Sequence, residues 1–446
     1  MKRLFGTDGI RGAAGEFPLD AKTMRIVGAA LAGIFGEKLG HGASFVTGRD
    51  TRESGSWIEA AIHAGAHSAG AVSQSAGVIT TPGVAFLTKE FGFDAGIVIS
   101  ASHNPYQDNG IKIFLPSGRK SDDETELAIE GRIELGEDFA HEDVRIDVSR
   151  VPEFHNAYLQ HLKDAVDGLS LVGLKIIIDC ANGASCDFAL KLFSDLGAEV
   201  VAIHNEPNGT NINENCGSLH LEDLQAKVIE ENADIGIAFD GDADRSLFVD
   251  EKGQTVDGDA TLWILAQYLK GHGKLSDSRV VATVMSNIGL EIALRSQGIE
   301  LSRANVGDKF VLEELLGSGS QLGGEQSGHI IFPEIGLVGD GMITALLLLR
   351  SMTERAVSLS AALEGFVPYP QILKNVRVKE KKPFDDVQAV ASASRALETQ
   401  LAGHGRLLLR YSGTENLARV MIEGKDQKTI ERQAADLASV IEKALG

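Results

Sequence analysis

The sequence lacks the features that mark secreted, membrane-spanning and disulfide-stabilised proteins. Its 446 residues include only three cysteines, Cys180, Cys186 and Cys216, which show no Cys-x-x-Cys spacing and are too few for a disulfide scaffold. The most apolar run, residues 345–349, is far too short to cross a bilayer, and Asp8 comes too early for the apolar core of a signal peptide. We therefore expect a soluble cytoplasmic protein whose thiols are reduced.

Basic residues are also scarce. The 42 lysines and arginines are outnumbered by 63 aspartates and glutamates, which gives a net charge of −21. This excess of negative charge disfavours nucleic acid or an anionic membrane as the main partner. A binding site for a phosphorylated molecule must therefore concentrate its cations locally. Glycine, in contrast, is abundant, with 50 residues, as expected for a chain with many tight turns between strands and helices.

One pattern of strand, helix and strand recurs along the chain. Each copy begins with a strand rich in β-branched residues and ends with an apolar strand that runs into a polar loop. The first strands of the copies are residues 44–50, 174–179 and 280–284, and the polar loops begin at Ser100, Asp240 and Gly323. Because strands that alternate with helices form parallel sheets, we predict three related α/β domains with mixed, mainly parallel sheets.

The last part of the chain has a different pattern. Strand-like segments at 372–378, 406–411 and 417–423 are combined with a helical stretch at 384–401 and a final helix. A break at Pro368-Tyr369-Pro370 indicates a linker before this part. We predict a small C-terminal α+β domain. The predicted domain boundaries are 1–150, 151–253, 254–368 and 369–446.

The segment Asp240-Gly241-Asp242-Ala243-Asp244-Arg245 carries the strongest chemical signal. Three carboxylates at alternate positions after a strand repel one another unless a cation lies between them, and Mg²⁺ prefers such oxygen ligands. An EF-hand calcium loop is excluded, because Arg245 stands where that loop requires glycine and residues 247–249 have the pattern of a strand. From the residues alone, a solvated acidic turn stays open as the alternative.

Three further polar loops could act with this cluster. Ser102 follows an apolar strand, where open α/β sheets place reactive groups, but a serine is a weak nucleophile unless a base or a metal assists it. The turn 410–415, Arg-Tyr-Ser-Gly-Thr-Glu, can form an anion-binding nest with arginine forks at Arg410 and Arg419. The loop 324–329, Gly-Glu-Gln-Ser-Gly-His, offers groups that suit sugar hydroxyls.

Taken in order along the chain, these motifs resemble those of the α-D-phosphohexomutase superfamily. The resemblance covers essentially the whole chain and includes the serine, metal, sugar and phosphate loops. A subgroup that acts on glucosamine phosphate is indicated by residues 5–12, by residues 100–106 and by Gln326, where relatives acting on glucose and mannose phosphates usually carry methionine. One departure is Asn416, where the family usually has a proline that stiffens the phosphate loop.

The resemblance implies a role for each loop. Ser102 would carry a transferable phosphoryl group, and Mg²⁺ would be held beside it by Ser102, Asp240, Asp242 and Asp244. The other groups implied in catalysis are Arg11, Lys112 and His329. The groups implied in substrate binding are Arg245, Lys309, Glu325, Ser327, Arg410, Ser412, Gly413, Thr414 and Arg419.

The implied reaction converts glucosamine 6-phosphate into glucosamine 1-phosphate through phosphoserine and a sugar bisphosphate intermediate. Its product would feed the synthesis of UDP-N-acetylglucosamine and the cell wall, and a homodimer is the candidate assembly. Three alternatives stay open. They are a mutase for glucose or mannose phosphates, a Mg²⁺-dependent sugar phosphatase that passes the phosphoryl group to water, and a catalytically inactive sugar-phosphate sensor.

Overall fold

The computed structural model describes residues 3–6, 8–136, 144–412 and 416–446. These residues form two compact units. The larger unit comprises Met1–Thr283 and Ser302–Glu364, and the smaller unit comprises Val284–Leu301 and Gly365–Gly446. Each unit has buried hydrophobic clusters of its own.

The larger unit begins with a five-stranded sheet and the helices that belong to it. The strands are β1 (Ile10–Ala13), β2 (Ser44–Arg49), β3 (Val72–Val78), β4 (Ala95–Ile99) and β5 (Asp108–Phe114). The helices are α1 (Ala21–Leu39), α2 (Gly55–Ser68), α3 (Thr81–Glu90) and α4 (Asp123–Leu135). The strand order is β1-β5-β4-β2-β3.

A second five-stranded sheet follows. Its strands are β6 (Lys175–Asp179), β7 (Glu199–Ile203), β8 (Ile235–Phe239), β9 (Ser246–Asp250) and β10 (Thr255–Val256). Its helices are α5 (Val151–Asp164), α6 (Cys186–Asp195) and α7 (Glu222–Glu231), with a short 3₁₀ helix at Gly217–Leu219. The strand order is β10-β9-β8-β6-β7. Strand β9 includes residues 247–249, which confirms that the aspartate loop leads into a strand and not into the exit helix of a calcium loop.

The third sheet has four strands in the order β12-β11-β13-β14. Its strands are β11 (Arg279–Thr283), β12 (Glu300–Ala304), β13 (Gly323–Gly324) and β14 (Ile330–Ile331). The helices in this part of the chain are α8 (Gly258–Gly271), α9 (Ile288–Ser296), α10 (Asp308–Ser318), α11 (Gly341–Arg355) and α12 (Leu359–Ala362). Of these helices, α9 belongs to the smaller unit.

The three sheets share one arrangement of four strands, which confirms the predicted repeat. In each copy, the first strand lies between the second and third, and the fourth pairs with the third. The first and third strands are parallel, whereas the fourth runs antiparallel to the third. The antiparallel turn follows from loop length, because a parallel connection needs a dozen or more residues and these loops are shorter.

As a consequence, the three polar loops occupy the same position in each copy, between the third and fourth strands. The serine loop joins β4 to β5, the aspartate loop joins β8 to β9, and the loop with Glu325 and His329 joins β13 to β14. The sheets are mixed, as predicted. The five-stranded sheets contain parallel and antiparallel pairs in equal number, because a second antiparallel strand extends each of them at its edge.

Short polar side chains cap the N-termini of two helices that lie next to these loops. Thr80 precedes α3, and its hydroxyl accepts the N–H of Gly83 at 3.1 Å. Asp340 precedes α11 and accepts the N–H groups of Met342 at 2.9 Å and Ile343 at 3.1 Å. The hydroxyl of Tyr158 donates to the same carboxylate at 2.7 Å. Burial raises the pKa of Asp340 to about 6.

The smaller unit contains the predicted C-terminal α+β fold. Its three antiparallel strands are β15 (Gln371–Arg377), β16 (Gly405–Tyr411) and β17 (Leu417–Gly424), in the order β15-β17-β16. Its helices are α13 (Gln388–Leu401) and α14 (Gln427–Leu445), with a 3₁₀ turn at Phe384–Asp386. Another 3₁₀ turn, at Ser276–Ser278, precedes β11 in the larger unit. The strands and helices predicted for this part of the sequence are therefore confirmed.

The segment Val284–Leu301 is attached to this unit by a pair of hydrogen bonds. The amide of Asn287, which precedes α9, donates to the carbonyl oxygen of Tyr369 and accepts its N–H, both at 2.9 Å. Tyr369 lies in the proline-flanked segment that the sequence identifies as a linker. The side chain of Asn287 therefore fixes the backbone at this point.

Cys180, Cys186 and Cys216 are buried free thiols, in agreement with the sequence. None of the helices in the described part of the chain combines the length and apolarity needed to cross a membrane.

Helices α1 and α2 approach each other through glycines. A Cβ atom at Gly65 would lie 1.9 Å from the carbonyl oxygen of Arg25, and one at Gly28 would lie 2.1 Å from that of Ile62. Side chains at these positions cannot fit without separating the helices.

We predict that Gly65→Ala lowers the stability of the protein by about 1–3 kcal/mol, because the added methyl group overpacks the helix contact. Gly33→Ala on α1 is the matched control. A Cβ atom at Gly33 would have no neighbour within 4 Å, so the better helix propensity of alanine should stabilise by up to about 1 kcal/mol. Thermal unfolding of both variants measures the difference, and equal melting temperatures would contradict the prediction.

Candidate active site

Ser102 lies in the serine loop between β4 and β5 and is fully buried. Its φ is 54°, in the left-handed region that residues other than glycine rarely adopt. Its backbone N–H donates to Ser100 Oγ at 2.9 Å, and its hydroxyl donates to Asp240 Oδ2 at 2.5 Å. The loop therefore directs the Ser102 hydroxyl at the aspartate loop.

Arg52 holds the backbone of the serine loop. Its guanidinium group is buried and its Nε donates to Asp50 Oδ2 at 2.9 Å. The carbonyl oxygens that accept its other N–H groups belong to Ser102, Asn104, Pro105 and Asp108. Asp50 Oδ2 also accepts the hydroxyl of Ser100 at 2.6 Å. A buried guanidinium group needs hydrogen-bond acceptors for its N–H groups. The serine loop and the side chain of Arg52 therefore stabilise each other.

Asn213 binds the same loop from a second direction. It lies in the segment after β7, and its Nδ2 donates to the carbonyl oxygens of Ser102 at 2.9 Å and Asn104 at 3.0 Å. Arg52 Nη2 donates to the same two oxygens at 2.9 and 2.8 Å. The left-handed conformation of Ser102 is thus held from both the first and the second copy of the repeat.

Gly241 allows the aspartate loop to approach the serine loop closely. A Cβ atom at this position would lie 2.5 Å from the carbonyl oxygen of Ser102 and 2.9 Å from Asn213 Nδ2. Any other residue would separate the Ser102 hydroxyl from Asp240.

Asp240, Asp242 and Asp244 are buried, and their carboxylate oxygens lie within 4.8 Å of one another. Lys112 Nζ lies 2.8 Å from Asp242 Oδ2 and 3.1 Å from Asp244 Oδ2. The Oδ1 atoms of Asp242 and Asp244 are buried and have no hydrogen-bond donor among the described residues. Oxygen atoms in this state fit a divalent cation, so the predicted metal site has suitable ligands.

The pKa values in this cluster diverge. Burial raises the pKa of Asp240 well above its usual range, and the negative charges of Asp244 and Asp242 raise it further. Burial would also raise the pKa of Asp244, but Lys112 and His329 outweigh it and hold that pKa well below the usual range. Burial opposes the charge of Lys112, yet the aspartates raise its pKa, so this lysine stays protonated. The cluster thus combines one fixed cation with several carboxylates.

His103 is the nearest nitrogen base to Ser102. Its Nδ1 lies 3.3 Å from Ser102 Oγ and accepts an N–H of Arg245 at 3.1 Å. Burial lowers the pKa of His103 to about 4, and the positive charges of Arg245 and Arg11 contribute. The ring is therefore neutral near pH 7, and its Nδ1 accepts the Arg245 N–H close to the serine hydroxyl.

A cavity of about 190 Å³ opens beside the aspartates and brings several predicted residues together. Its lining residues are Asp8, Arg11, Asp244, Arg245, Val306, Gly307, Asp308, Glu325 and His329. Glu325 Oε1 accepts the N–H of Gly307 at 3.1 Å. A cavity with both arginines and carboxylates suits a small polar ligand that carries phosphate and hydroxyl groups.

Asp8 joins the cations of this region. It pairs with Arg11, with Lys120 and with Lys112, the last at 3.2 Å. Burial opposes ionisation of Asp8, but Lys112, Lys120 and Arg11 together hold its pKa far below the usual range. Lys120 also pairs with Asp308. The side chain of Arg11 is therefore held toward the cavity by a permanently ionised partner.

His329 orients Asp244. Its Nε2 accepts the backbone N–H of Gly339 at 3.1 Å, and its Nδ1 lies 3.7 Å from Asp244 Oδ2. Burial opposes a charge on His329 and Asp244 favours one, with a net rise in its pKa. The N–H donated by Gly339 occupies the Nε2 lone pair, so the ring proton belongs on Nδ1, facing the carboxylate.

Two members of the predicted substrate-binding set that belong to the larger unit, Lys309 and Ser327, do not line this cavity. Lys309 Nζ pairs with Asp123 Oδ1 at 2.8 Å in an exposed contact. The hydroxyl of Ser327 is buried without a hydrogen-bond partner in the described part of the chain. The side chain of Gln326 turns to Asp257 Oδ2 at 3.0 Å, the residue that precedes α8, and so anchors the sugar loop.

The predicted phosphate loop belongs to the smaller unit. Arg410 and Arg419 are direct partners on the antiparallel strands β16 and β17, which places two like charges on one face. Arg419 Nη2 lies 3.5 Å from Ser412 Oγ, and Lys381 Nζ donates to the carbonyl oxygen of Ser412 at 2.8 Å. Two cations, Arg419 and Lys381, therefore contact Ser412, and Arg410 lies opposite Arg419 on the neighbouring strand, an arrangement that favours an anion. Gly413 and Thr414 lie outside the described residues.

Several functional candidates were not identified from the sequence. These are Asp8, Asp50, Arg52, Thr81, His103, Lys120, Asn213, Asp308 and Lys381. For Asp50 and Arg52 a signal existed, because they directly follow the first strand of the first copy, at the sheet edge where parallel strands place their loops. Asn213 lies far along the chain from Ser102, and the sequence contains no pattern that joins them.

Comparisons with known proteins agree with this architecture. Four family descriptions match successive parts of the chain. They are "Phosphoglucomutase/phosphomannomutase, alpha/beta/alpha domain I" at residues 2–139, the corresponding domain II at 156–253, domain III at 257–369 and the C-terminal domain at 373–440.

Full-length relatives are also found. A phosphoglucosamine mutase of Solibacter usitatus is 48% identical and covers 100% of this chain and 99% of the relative. One of Caldicellulosiruptor bescii is 47% identical, with 100% of both chains covered. Among solved structures, a phosphoglucomutase/phosphomannomutase family protein from Burkholderia thailandensis has a TM-score of 0.80 at 24% identity, over 100% of this chain and 98% of that one.

A second solved structure is Aspergillus fumigatus N-acetylphosphoglucosamine mutase in complex with GlcNAc-6P and magnesium. It has a TM-score of 0.64 at 18% identity and covers 99% of this chain and 96% of that chain. Both structural matches support the fold.

We predict that Asp242→Asn and Thr81→Val weaken divalent-cation binding. The asparagine in Asp242→Asn lacks the negative charge of a metal ligand. The valine in Thr81→Val removes the hydroxyl that donates to Asp242 Oδ2 at 2.5 Å and orients this ligand. Loss of such an orienting contact typically costs about 10–100-fold in metal affinity. Thr88→Val is the control, because among the described residues the Thr88 hydroxyl bonds within α3, to the carbonyl oxygen of Val84 at 2.7 Å. Titration calorimetry with Mg²⁺ measures the affinities. Unchanged affinity in Asp242→Asn would remove the cluster as the metal site.

Proposed function

Since the chain belongs to the phosphoglucosamine mutase family within the phosphohexomutase superfamily, we propose that it interconverts glucosamine 6-phosphate and glucosamine 1-phosphate. The observation that carries the proposal is the position of the Ser102 hydroxyl. It is buried, lies 2.5 Å from Asp240 and faces an aspartate cluster with two free carboxylate oxygens. A hydroxyl in this setting suits the transfer of a phosphoryl group.

We propose that Ser102 carries a phosphoryl group at the start of each turnover. The bond between phosphorus and Ser102 Oγ breaks as a new bond forms to the free O1 hydroxyl of glucosamine 6-phosphate, and the proton of that hydroxyl passes to a base. The bisphosphate intermediate then reorients so that its O6 phosphoryl group faces Ser102. Ser102 Oγ takes the phosphoryl group from O6, where the sugar hydroxyl recovers a proton, and glucosamine 1-phosphate leaves.

The aspartate cluster is the proposed Mg²⁺ site, with Asp240, Asp242 and Asp244 as protein ligands and Ser102 beside them. When bound, the cation neutralises charge on the phosphoryl oxygens. Lys112 holds Asp242 and Asp244 by their Oδ2 atoms and leaves the Oδ1 atoms free for the cation.

The remaining predicted residues bind the sugar phosphate in this proposal. Glu325 and Ser327 contact hydroxyls of the sugar, while Arg11, Arg245, Lys309 and His329 supply charge or protons. The phosphate that is not being transferred is bound by Arg410, Ser412, Gly413, Thr414 and Arg419. The charge of paired arginines on β16 and β17 supports this last role. The cytoplasm is the proposed location, since three unpaired thiols suit a reducing compartment.

We predict that Ser102→Ala abolishes isomerisation, because the proposed mechanism passes the phosphoryl group through the Ser102 hydroxyl. Ser117→Ala, in an exposed turn after β5, should retain normal turnover. Phosphopeptide mapping of the wild type after incubation with sugar bisphosphate should locate the modification at Ser102. Near-normal isomerisation by Ser102→Ala would overturn the mechanism. Steady release of inorganic phosphate without isomer would identify the phosphatase alternative.

We predict that kcat/KM for glucosamine 6-phosphate exceeds the values for glucose and mannose 6-phosphates by at least about tenfold. The physical reason is charge, because the Glu325 carboxylate lines the cavity, and a carboxylate favours a substrate with an ammonium group at C2. Coupled assays with the three sugars measure the ratio. A higher value for glucose or mannose phosphate would assign the chain a different substrate within the superfamily.

A further inference from the structure

A second group of metal-binding side chains lies outside the proposed active site, at the carboxyl end of the second sheet. Asp179 is the last residue of β6, His204 directly follows β7, and Cys216 directly precedes the 3₁₀ helix at Gly217–Leu219. One ligand atom from each of the three side chains lies within 4.8 Å of the others. Carboxylate, imidazole and thiol together form a ligand set typical of zinc.

The contact between Asp179 and His204 forms an ion pair when the imidazole is protonated, and its distance also fits two ligands of one metal ion. His204 Nδ1 lies 3.1 Å from Asp179 Oδ2, yet this buried nitrogen makes no hydrogen bond in the described part of the chain. In a tetrahedral site with metal–ligand bonds of about 2.0–2.1 Å, two such ligand atoms are separated by about 3.3 Å. The observed distance is close to that edge length.

The groups around the cluster fix two of the ligands. His204 Nε2 lies 3.3 Å from Asp223 Oδ2, and a carboxylate on the second ring nitrogen is the usual outer partner of a metal-binding histidine. Asp179 Oδ1 accepts the N–H of Ala181 at 2.8 Å, and Oδ2 accepts that of Gly217 at 2.9 Å. The carboxylate and the imidazole are therefore held in place before any ion binds.

The thiol of Cys216 completes the set. Cys216 is only 1% exposed. Its Sγ accepts a long hydrogen bond of 4.0 Å from Asn182 Nδ2. Sγ is thus buried, weakly bonded and close to both other ligand atoms. Sulfur is a poor ligand for Mg²⁺ but a strong one for Zn²⁺.

We propose that Asp179, His204 and Cys216 bind one Zn²⁺ ion, with a solvent molecule as the fourth ligand. This site differs in chemistry from the all-oxygen aspartate cluster, so each favours a different metal. It is also connected to the serine loop, because Asn213, whose side chain binds the Ser102 carbonyl, donates its backbone N–H to Ala181 O at 2.9 Å. A bound ion should therefore stabilise this part of the second copy.

Cobalt substitution tests the site independently of any mutase activity. The full-length protein is stripped with a chelator, supplied with excess Mg²⁺ to fill the aspartate cluster, and titrated with Co²⁺. We expect a thiolate-to-cobalt charge-transfer band and the visible bands of tetrahedral Co²⁺ to saturate at one equivalent, and Zn²⁺ to displace them. The aspartate cluster contains no sulfur and cannot produce the charge-transfer band.

Variants assign the ligands. Cys216→Ser and His204→Gln should lose the charge-transfer band, and Cys186→Ser should retain it, although Cys186 is also a buried thiol of the second copy. If circular dichroism shows that Cys216→Ser does not fold, the partly exposed His204 decides. Absence of the band in the wild type, or its persistence in His204→Gln, would overturn the proposal. Zn²⁺ should also raise the melting temperature of the wild type but not of His204→Gln.

Discussion

Electrostatic repulsion among three buried carboxylates is the constraint on which the rest of the site depends. Asp240, Asp242 and Asp244 can share a short loop only because Lys112 contacts two of them and their remaining oxygens suit a divalent cation. Lys112 is itself buried and would lose its proton without these partners. The lysine and the aspartates are therefore stable only as a group, and the Ser102 hydroxyl belongs to that group through Asp240.

The repeated sheet topology explains how so many polar groups meet. Each copy places one loop between its third and fourth strands, and the antiparallel turn keeps that loop short. The aspartate loop contacts the serine loop through Ser102 and Gly241, and it contacts the sugar loop through Ser246, whose N–H donates to Gly328 O at 3.2 Å. The serine, the three aspartates and the polar groups of the sugar loop thus lie on corresponding loops of the three copies.

Strong local patterns predicted the larger part of the fold and the main chemistry. The repeat, the C-terminal strands and helices and the aspartate trio each occupy a continuous stretch of sequence, where periodicity and spacing are visible. Arg52, Asn213 and Thr81 could not be found in this way, because their roles come from contacts with backbone carbonyls or carboxylates about 50 to 160 residues away. Lys309 is a different case, because the sequence motif predicts that it binds substrate, whereas the pairing of its side chain with Asp123 could not be predicted from the sequence.

The attachment of the serine loop has a consequence for catalytic turnover. Arg52 and Asn213 bind the carbonyl oxygen of Ser102, so they hold the loop through its backbone and not through the Ser102 hydroxyl. In the proposed mechanism the Ser102 side chain gains and loses a covalent group in every cycle, and such a side chain cannot also anchor its own loop. Because the anchor is the peptide backbone, the loop can keep one shape whether or not Ser102 carries the proposed phosphoryl group.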